Sequence, residues 1–163
     1  MALPDLSGWY RIDGKDLWTV YNMFVEDGSD SFLKYPGKKE SITHDWMDAD
    51  GLDVDLSRIF FNARDITLNV AILAETSERF WNIYEAFIVH MKQPGQRRLE
   101  VQEFGGRSFM CFYKETNNFS RFTRLEKSNL IGCKFTIVFT ENNPSLDSKN
   151  VFIVDDQGRY LIT

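Results

Sequence analysis

The sequence is poor in the residues that site chemistry usually needs: two cysteines and two histidines in 163 residues. Cys111 and Cys133 each stand inside an apolar run, without the CxxC spacing of a redox or zinc site. The expectation for both is a buried free thiol in a reducing compartment. His44 and His90 lie far apart in the chain. No GxSxG elbow, HExxH pair or phosphate-cradling glycine loop accompanies them. Catalytic, cofactor-binding and metal-ligating residues are therefore all left unassigned, and the chain reads as a non-enzyme that needs no cofactor.

A basic excess is also missing. The formal charge is −5, with both signs mixed along the chain, whereas a nucleic-acid binder needs a concentrated cationic face. This excludes sequence-specific nucleic-acid recognition. The tightest basic cluster, Lys92, Arg97 and Arg98 around Pro94-Gly95, reads as a solvated corner. No apolar run approaches the ~18 residues of a membrane-spanning helix. The first residues, MALPDLSGWYRIDGKDL, lack a signal peptide's apolar stretch, so the expectation is no membrane contact and a cytoplasmic site of synthesis and folding.

Aromatic residues are plentiful. They make up 15% of the chain, fourteen of them Phe, within an apolar content of 43%. That is more than a disordered chain carries, and aromatics favour strands and interfaces, so the excess points to β structure and self-association.

Trp9-Tyr10-Arg11-Ile12 reads as a short strand and Asp13-Gly14-Lys15 as a turn. Leu17 to Val25 reads as irregular extended chain, Asp27-Gly28-Ser29-Asp30 as another turn, and Phe32 to Gly37 as an aromatic loop ended by Pro36. From Asp65 the chain alternates strictly. Ile66, Leu68, Val70 and Ile72 share one face and Thr67, Asn69 and Ala71 the other, the period of a strand with one buried face. A single helix is predicted over about 76–92, capped by Thr76 or Ser77 and stopped by Pro94-Gly95. Its apolar stripe is Phe80, Trp81, Tyr84, Phe87, Ile88 and Met91. Leu99–Phe104, the turn Gly105-Gly106 and Ser108–Tyr113 predict a hairpin, with a short edge strand over Phe119–Arg124. Cys133, Phe135, Ile137 and Phe139 alternate with Lys134, Thr136 and Val138 in a last strand. Residues 1–144 are thus expected to form one α+β, mainly-β domain, a β-sandwich or meander with one covering helix. Residues 145–163 read as a linker and a C-terminal β-hairpin, Val151–Val154 and Arg159–Ile162. Two strands alone are marginal in water, so that hairpin needs a partner surface.

The most site-like stretch is His44 to Asp55, with carboxylates at Asp45, Asp48, Asp50, Asp53 and Asp55 around Gly51. Five carboxylates at a turn have the hard oxygens calcium prefers. The EF-hand spacing fails, because it needs a Glu where Ser57 stands. An acidic loop at a sheet edge explains the same residues through turn chemistry.

Several segments taken in order resemble the distal tail proteins, and related tail-tube-like proteins, of phages and prophages. They are Ile12–Leu17; Phe32-Leu33 through Pro36 to Lys39-Glu40; Asp50–Ser57; Ala63–Leu68; Phe80-Trp81; Lys92–Gly95 with Leu99–Val101; and Lys134–Glu141. Together they cover nearly residues 9–144, and it is their order and spacing that carry the likeness. The resemblance implies a β-sandwich with one helix that forms a hexameric ring at the junction of tail tube and baseplate. Its partners would be copies of itself, the tail tube and the baseplate hub. Its place would be the virion tail, after assembly in the bacterial cytoplasm. Longer members append a second, sometimes carbohydrate-binding-like domain where this chain has only Val151–Thr163. Two alternatives stand beside the ring: a tail assembly chaperone or other non-ring interaction module, and a calcium-binding or hydrolytic domain using the His44–Asp55 loop.

Overall fold

The computed structural model describes residues 5–48, 50–120, 123–124 and 130–144. The expected hairpin at 151–162 lies outside the described residues. The chain opens with β1 (Tyr10–Ile12) and β2 (Lys15–Asp16). Asp13 and Gly14, both at positive φ, form the two-residue turn between them, the geometry that matches strand twist in a tight hairpin.

Where extended chain was expected, a five-residue helix α1 (Leu17–Tyr21) forms. Asp16 starts it by accepting from the Thr19 amide, and left-handed Asn22 ends it. Five residues are too few for a period to show, so the cap was the only local signal. β3 (Met23–Asp27) follows. Gly28, at φ +102°, then turns the chain so close to β6 that a Cβ would lie 2.3 Å from the Thr67 carbonyl oxygen. Only glycine fits there. A 3₁₀ turn over Ser29–Phe32 buries Phe32.

The chain then leaves the body as an arm carrying β4 (Thr43–His44) and β5 (Asp53–Val54), and returns into β6 (Arg64–Ala74). α2 (Ser77–Met91) is capped by Thr76, whose hydroxyl accepts from the Arg79 amide. β7 (Arg97–Val101), a turn with Gly105 and Gly106 at positive φ, and β8 (Arg107–Asn117) make the expected hairpin. β9 (Thr123–Arg124) and β10 (Ile131–Glu141) complete the order.

Among the described residues one eight-stranded antiparallel sheet runs β2-β1-β7-β8-β10-β6-β3, with β9 beside β10. It curls because β8 serves both halves. Residues 107–111 pair with β7 and 112–117 with β10. Both halves therefore face one core, which gives the mainly-β, α+β architecture read from the sequence. β6 and β10 pair along their full length, Arg64 opposite Glu141 and Ala74 opposite Ile131.

Ile66, Leu68, Val70 and Ile72 are buried and Thr67 and Asn69 exposed, so the alternation reads the register correctly. In β10, Thr136 and Val138 are buried as well as Cys133, Phe135, Ile137 and Phe139. Thr136 donates to Asn69 at 2.8 Å on the outer face of this central strand, where neighbours on both sides shield small side chains. The helix stripe is rotated from the expected one: Phe80, Ile83, Phe87, His90 and Met91 face inward, while Trp81 is exposed. The expected stripe omitted both Ile83 and His90, which are buried. Both thiols are buried and free. Burial pushes the Cys111 thiol up to about 12, with the Glu141 and Asp13 charges adding to it.

Candidate functional site

Three places hold candidate groups. The first is an internal polar network where β1, α1, α2 and β7 meet. His90 Nε2 lies 3.0 Å from Asp13 Oδ2, and its Nδ1 lies 2.9 Å from the Tyr21 hydroxyl. A carboxylate only accepts, so Nε2 carries a proton toward Asp13, and in the neutral ring Nδ1 accepts from Tyr21. Asp13 also takes Arg97 Nη1 at 3.0 Å and the Arg98 amide at 2.8 Å. Arg97 thus points inward, donating to the Pro94 carbonyl as well. This corrects the expected solvated corner: a carboxylate held at positive φ across the junction draws the guanidinium in. Carboxylate, imidazole and hydroxyl stand in the order of a nucleophilic triad. Yet Tyr21 is 3% exposed and His90 5%, so no substrate reaches the hydroxyl. Burial, and then the Asp13 charge, raise the Tyr21 hydroxyl above its ordinary value and keep it protonated. The network ties elements together.

The second is the acidic stretch. β4 and β5 pair Thr43 with Val54 and His44 with Asp53, and residues 45–48 and 50–52 lie at the apex. The His44 ring meets Trp46 edge-on at 3.9 Å. Asp55 accepts from the Ser57 amide at 2.9 Å, and hydrogen bonds from Ser57 lower its carboxyl below the ordinary value. Among the described residues no three His, Cys, Asp or Glu side chains come together as metal ligands. The carboxylates are spread around a turn, and His44 is engaged with an aromatic ring.

The third is the arm itself, residues 33–61, which sequence reading divided into an aromatic loop and an acidic loop. They belong to one two-stranded ribbon. Lys38 bridges Phe61, the Lys39 amide donates to the Phe60 carbonyl at 2.8 Å, and the Asp55 amide donates to the Ile42 carbonyl at 2.9 Å. No described residue between 33 and 61 is buried. Leu33, Ile42, Trp46, Met47, Leu52, Leu56, Ile59 and Phe60 are all more than half exposed, Ile42 at 80%. A signal was present in the sequence: large apolar residues at neither period two nor period 3.6.

Arg64 anchors the arm at the first residue of β6. It forms a buried ion pair with Glu141 and lies over the Phe109 ring at 5.5 Å. Its Nη1 donates to the Phe32 and Lys34 carbonyls at 2.8 and 3.0 Å.

Beside the body a cleft of about 260 Å³ lies where the two ends of the curled sheet approach each other. Its walls include Trp9, Trp18 and Phe24, with Glu26, Asp27 and Glu103 among its polar groups. Tyr10 donates to Glu103 at 2.9 Å. Burial, and then that carboxylate, raise the Tyr10 hydroxyl far above its ordinary value. Among the described residues no helix is long and apolar enough to cross a membrane.

No family model matches the chain, and no curated protein matches it in sequence. Its fold is similar to the crystal structure of the Dit protein (gp 19.1) of phage SPP1, described as a paradigm of the hub adsorption apparatus in phages that infect Gram-positive bacteria. The TM-score is 0.59 at 14% identity, covering 83% of this chain. The chain spans about half of that protein, 49% of its length. The likeness is one of fold.

Proposed function

We propose that this protein is a structural, non-catalytic component of a phage-type tail, an adaptor that assembles into a ring around the DNA channel between tail tube and baseplate. The observation that carries the reading is the arm. A two-stranded ribbon is marginal in water unless something covers it, and this one holds many large apolar side chains in solvent. Monomeric proteins rarely keep such a contiguous surface bare. Closed symmetry covers it without open-ended growth. The likeness to a hub protein supports the tail setting, and the sealed Asp13–His90–Tyr21 network supports a role without catalysis. Six copies are the expected number, and the virion tail is the expected place. Residues 1–144 act as the folded unit, and residues 145–163 as a linker and hairpin that engage neighbours.

Size-exclusion chromatography with light scattering, followed by negative-stain imaging, tests the proposal. A closed ring, of about six subunits as the resemblance to distal tail proteins implies, supports it. A monomer at high concentration overturns it in favour of a chaperone or other non-ring module.

A further inference from the structure

We infer that the arm of one copy docks by its base into the aromatic, acid-rimmed cleft of the next copy, so that the ring closes through one repeated head-to-tail contact. This rests on the ring reading and adds the two surfaces that would meet.

The two faces of the arm's base are not equivalent. In an antiparallel pair, residues opposite each other share a face. Lys38 and Phe61 therefore lie on one face, where Tyr35 already covers the Phe61 ring edge-on at 4.9 Å. Lys39 and Phe60 lie on the other, and Phe60 is 61% exposed. Arg58, two residues before Phe60, shares its side in an extended chain. Lys39 and Arg58 are exposed and enter no ion pair among the described residues. This face is one aromatic ring flanked by two cations.

The cleft offers the complement. Trp9, Trp18 and Phe24 supply ring faces and edges, and Asp27 and Glu103 supply carboxylates. Glu26 is already paired with Lys134 at 2.6 Å. Ring faces and carboxylates both attract a cation, and the apolar wall accepts a Phe ring. About 260 Å³ suits a few side chains rather than a whole strand. The cleft also lies beside β3, which ends the sheet and pairs on its far side with no strand among the described residues. Such an edge invites a neighbour. The acidic apex of the arm does not compete for the cleft, because its carboxylates would meet carboxylates. Arm and cleft are different surfaces of one chain, so their contact is heterologous and closes into a ring when the rotation permits.

Charge exchange in the full chain tests the pairing. Lys39→Glu with Arg58→Glu, and separately Asp27→Lys with Glu103→Gln, are each expected to weaken assembly about tenfold or more, as like charges are set face to face. Combining the two sets should recover most of the loss. As a second readout, one protein carrying Lys39→Cys, on the docking face, is mixed with another carrying Asp27→Cys under mild oxidation, the native thiols being buried. A mixed disulfide dimer is expected. Circular dichroism confirms that each variant is folded. If the wild-type ring forms and either charge set leaves it unaffected, or the combination fails to recover, or no mixed disulfide appears, the pairing is overturned and the ring stands. A wild-type chain that stays monomeric overturns the ring and the pairing together.

Discussion

Between Arg64 and Glu141 the body buries long apolar rows on paired strands, and Ile66, Ile72 and Leu99 have no exposed surface at all. Between residues 33 and 61 none of the described residues is buried. Each region is rich in large apolar side chains, so composition does not separate them. Pairing partners do: β6 lies between β3 and β10 with α2 packed against it, whereas among the described residues β4 pairs with β5 alone. Apolar area stabilises a fold only when something covers it. In the body the chain supplies its own cover, and in the arm it does not. The arm's apolar residues are therefore expected to matter little to the isolated subunit and much to its assembly.

Arg64 joins the two regions, and removing it gives the largest expected effect. Arg64→Ala leaves Glu141 charged, buried and unpaired, and frees the Phe32 and Lys34 carbonyls at the root of the arm. Breaking a buried pair from one side costs about 3–5 kcal/mol. Urea denaturation should show this loss, and adding Glu141→Gln should recover part of it. A loss below about 1 kcal/mol, typical of exposed pairs, would mean that the pair is solvated and the anchor is not electrostatic.

The next experiment compares the regions directly. Leu68→Ala, in the fully buried row of β6, should cost about 2–5 kcal/mol. Ile42→Ala, in the arm, should stay within about 0.5 kcal/mol in a monomeric preparation. Equal losses in the same denaturation series would show that the arm folds back on its own body.

These two sites also mark how far the sequence could be read. Ile66 to Ile72 announce a strand and its register because burial on one face leaves a period of two. α2 announces itself by a cap and a stop, although its buried face was misjudged: the stripe was drawn through exposed Trp81 and missed buried Ile83 and His90. Asp13, Tyr21 and Arg97 carried no warning. Their meeting with His90 depends on contacts between residues far apart in the chain, which no local pattern encodes. The arm was seen in pieces for the same reason. Lys38 pairs with Phe61 across more than twenty residues, and exposed strands have no buried face to impose alternation. The cleft is formed by the two ends of the curled sheet and could be recognised only once the curl was known.

The internal network gives an intermediate effect. His90→Phe keeps the ring volume but removes both hydrogen bonds, leaving the Tyr21 hydroxyl without its acceptor. Buried groups left unpaired cost about 1–3 kcal/mol each, and Asp13 retains Arg97 and the Arg98 amide to soften the change. Denaturation of the variant should therefore fall in that range. A variant as stable as the parent would show that the network is dispensable and that the apolar packing of α2 alone sets its position.

The smallest effect belongs to the outer face of the sheet, where body and solvent meet. Asp65 accepts from Lys114 Nζ at 2.6 Å and from the Thr140 hydroxyl at 2.7 Å. The Lys114 bond first, and then that of Thr140, lower the Asp65 carboxyl below its ordinary 3.8. A carboxyl lowered on folding stabilises the folded state when ionised. Its contribution is complete above 3.8 and is lost as the pH falls through the lower folded value. Both side chains of the pair are more than 40% exposed, so solvent and salt screen most of the attraction. Asp65→Asn should therefore lower the thermal midpoint slightly at neutral pH, less so in high salt. The gap between variant and parent should close as the pH drops below 3.8. A gap that persists undiminished in strong acid would assign the loss to the Thr140 hydrogen bond and the shape of the side chain rather than to charge. The outer face would then resemble the buried network more than it resembles the solvated arm.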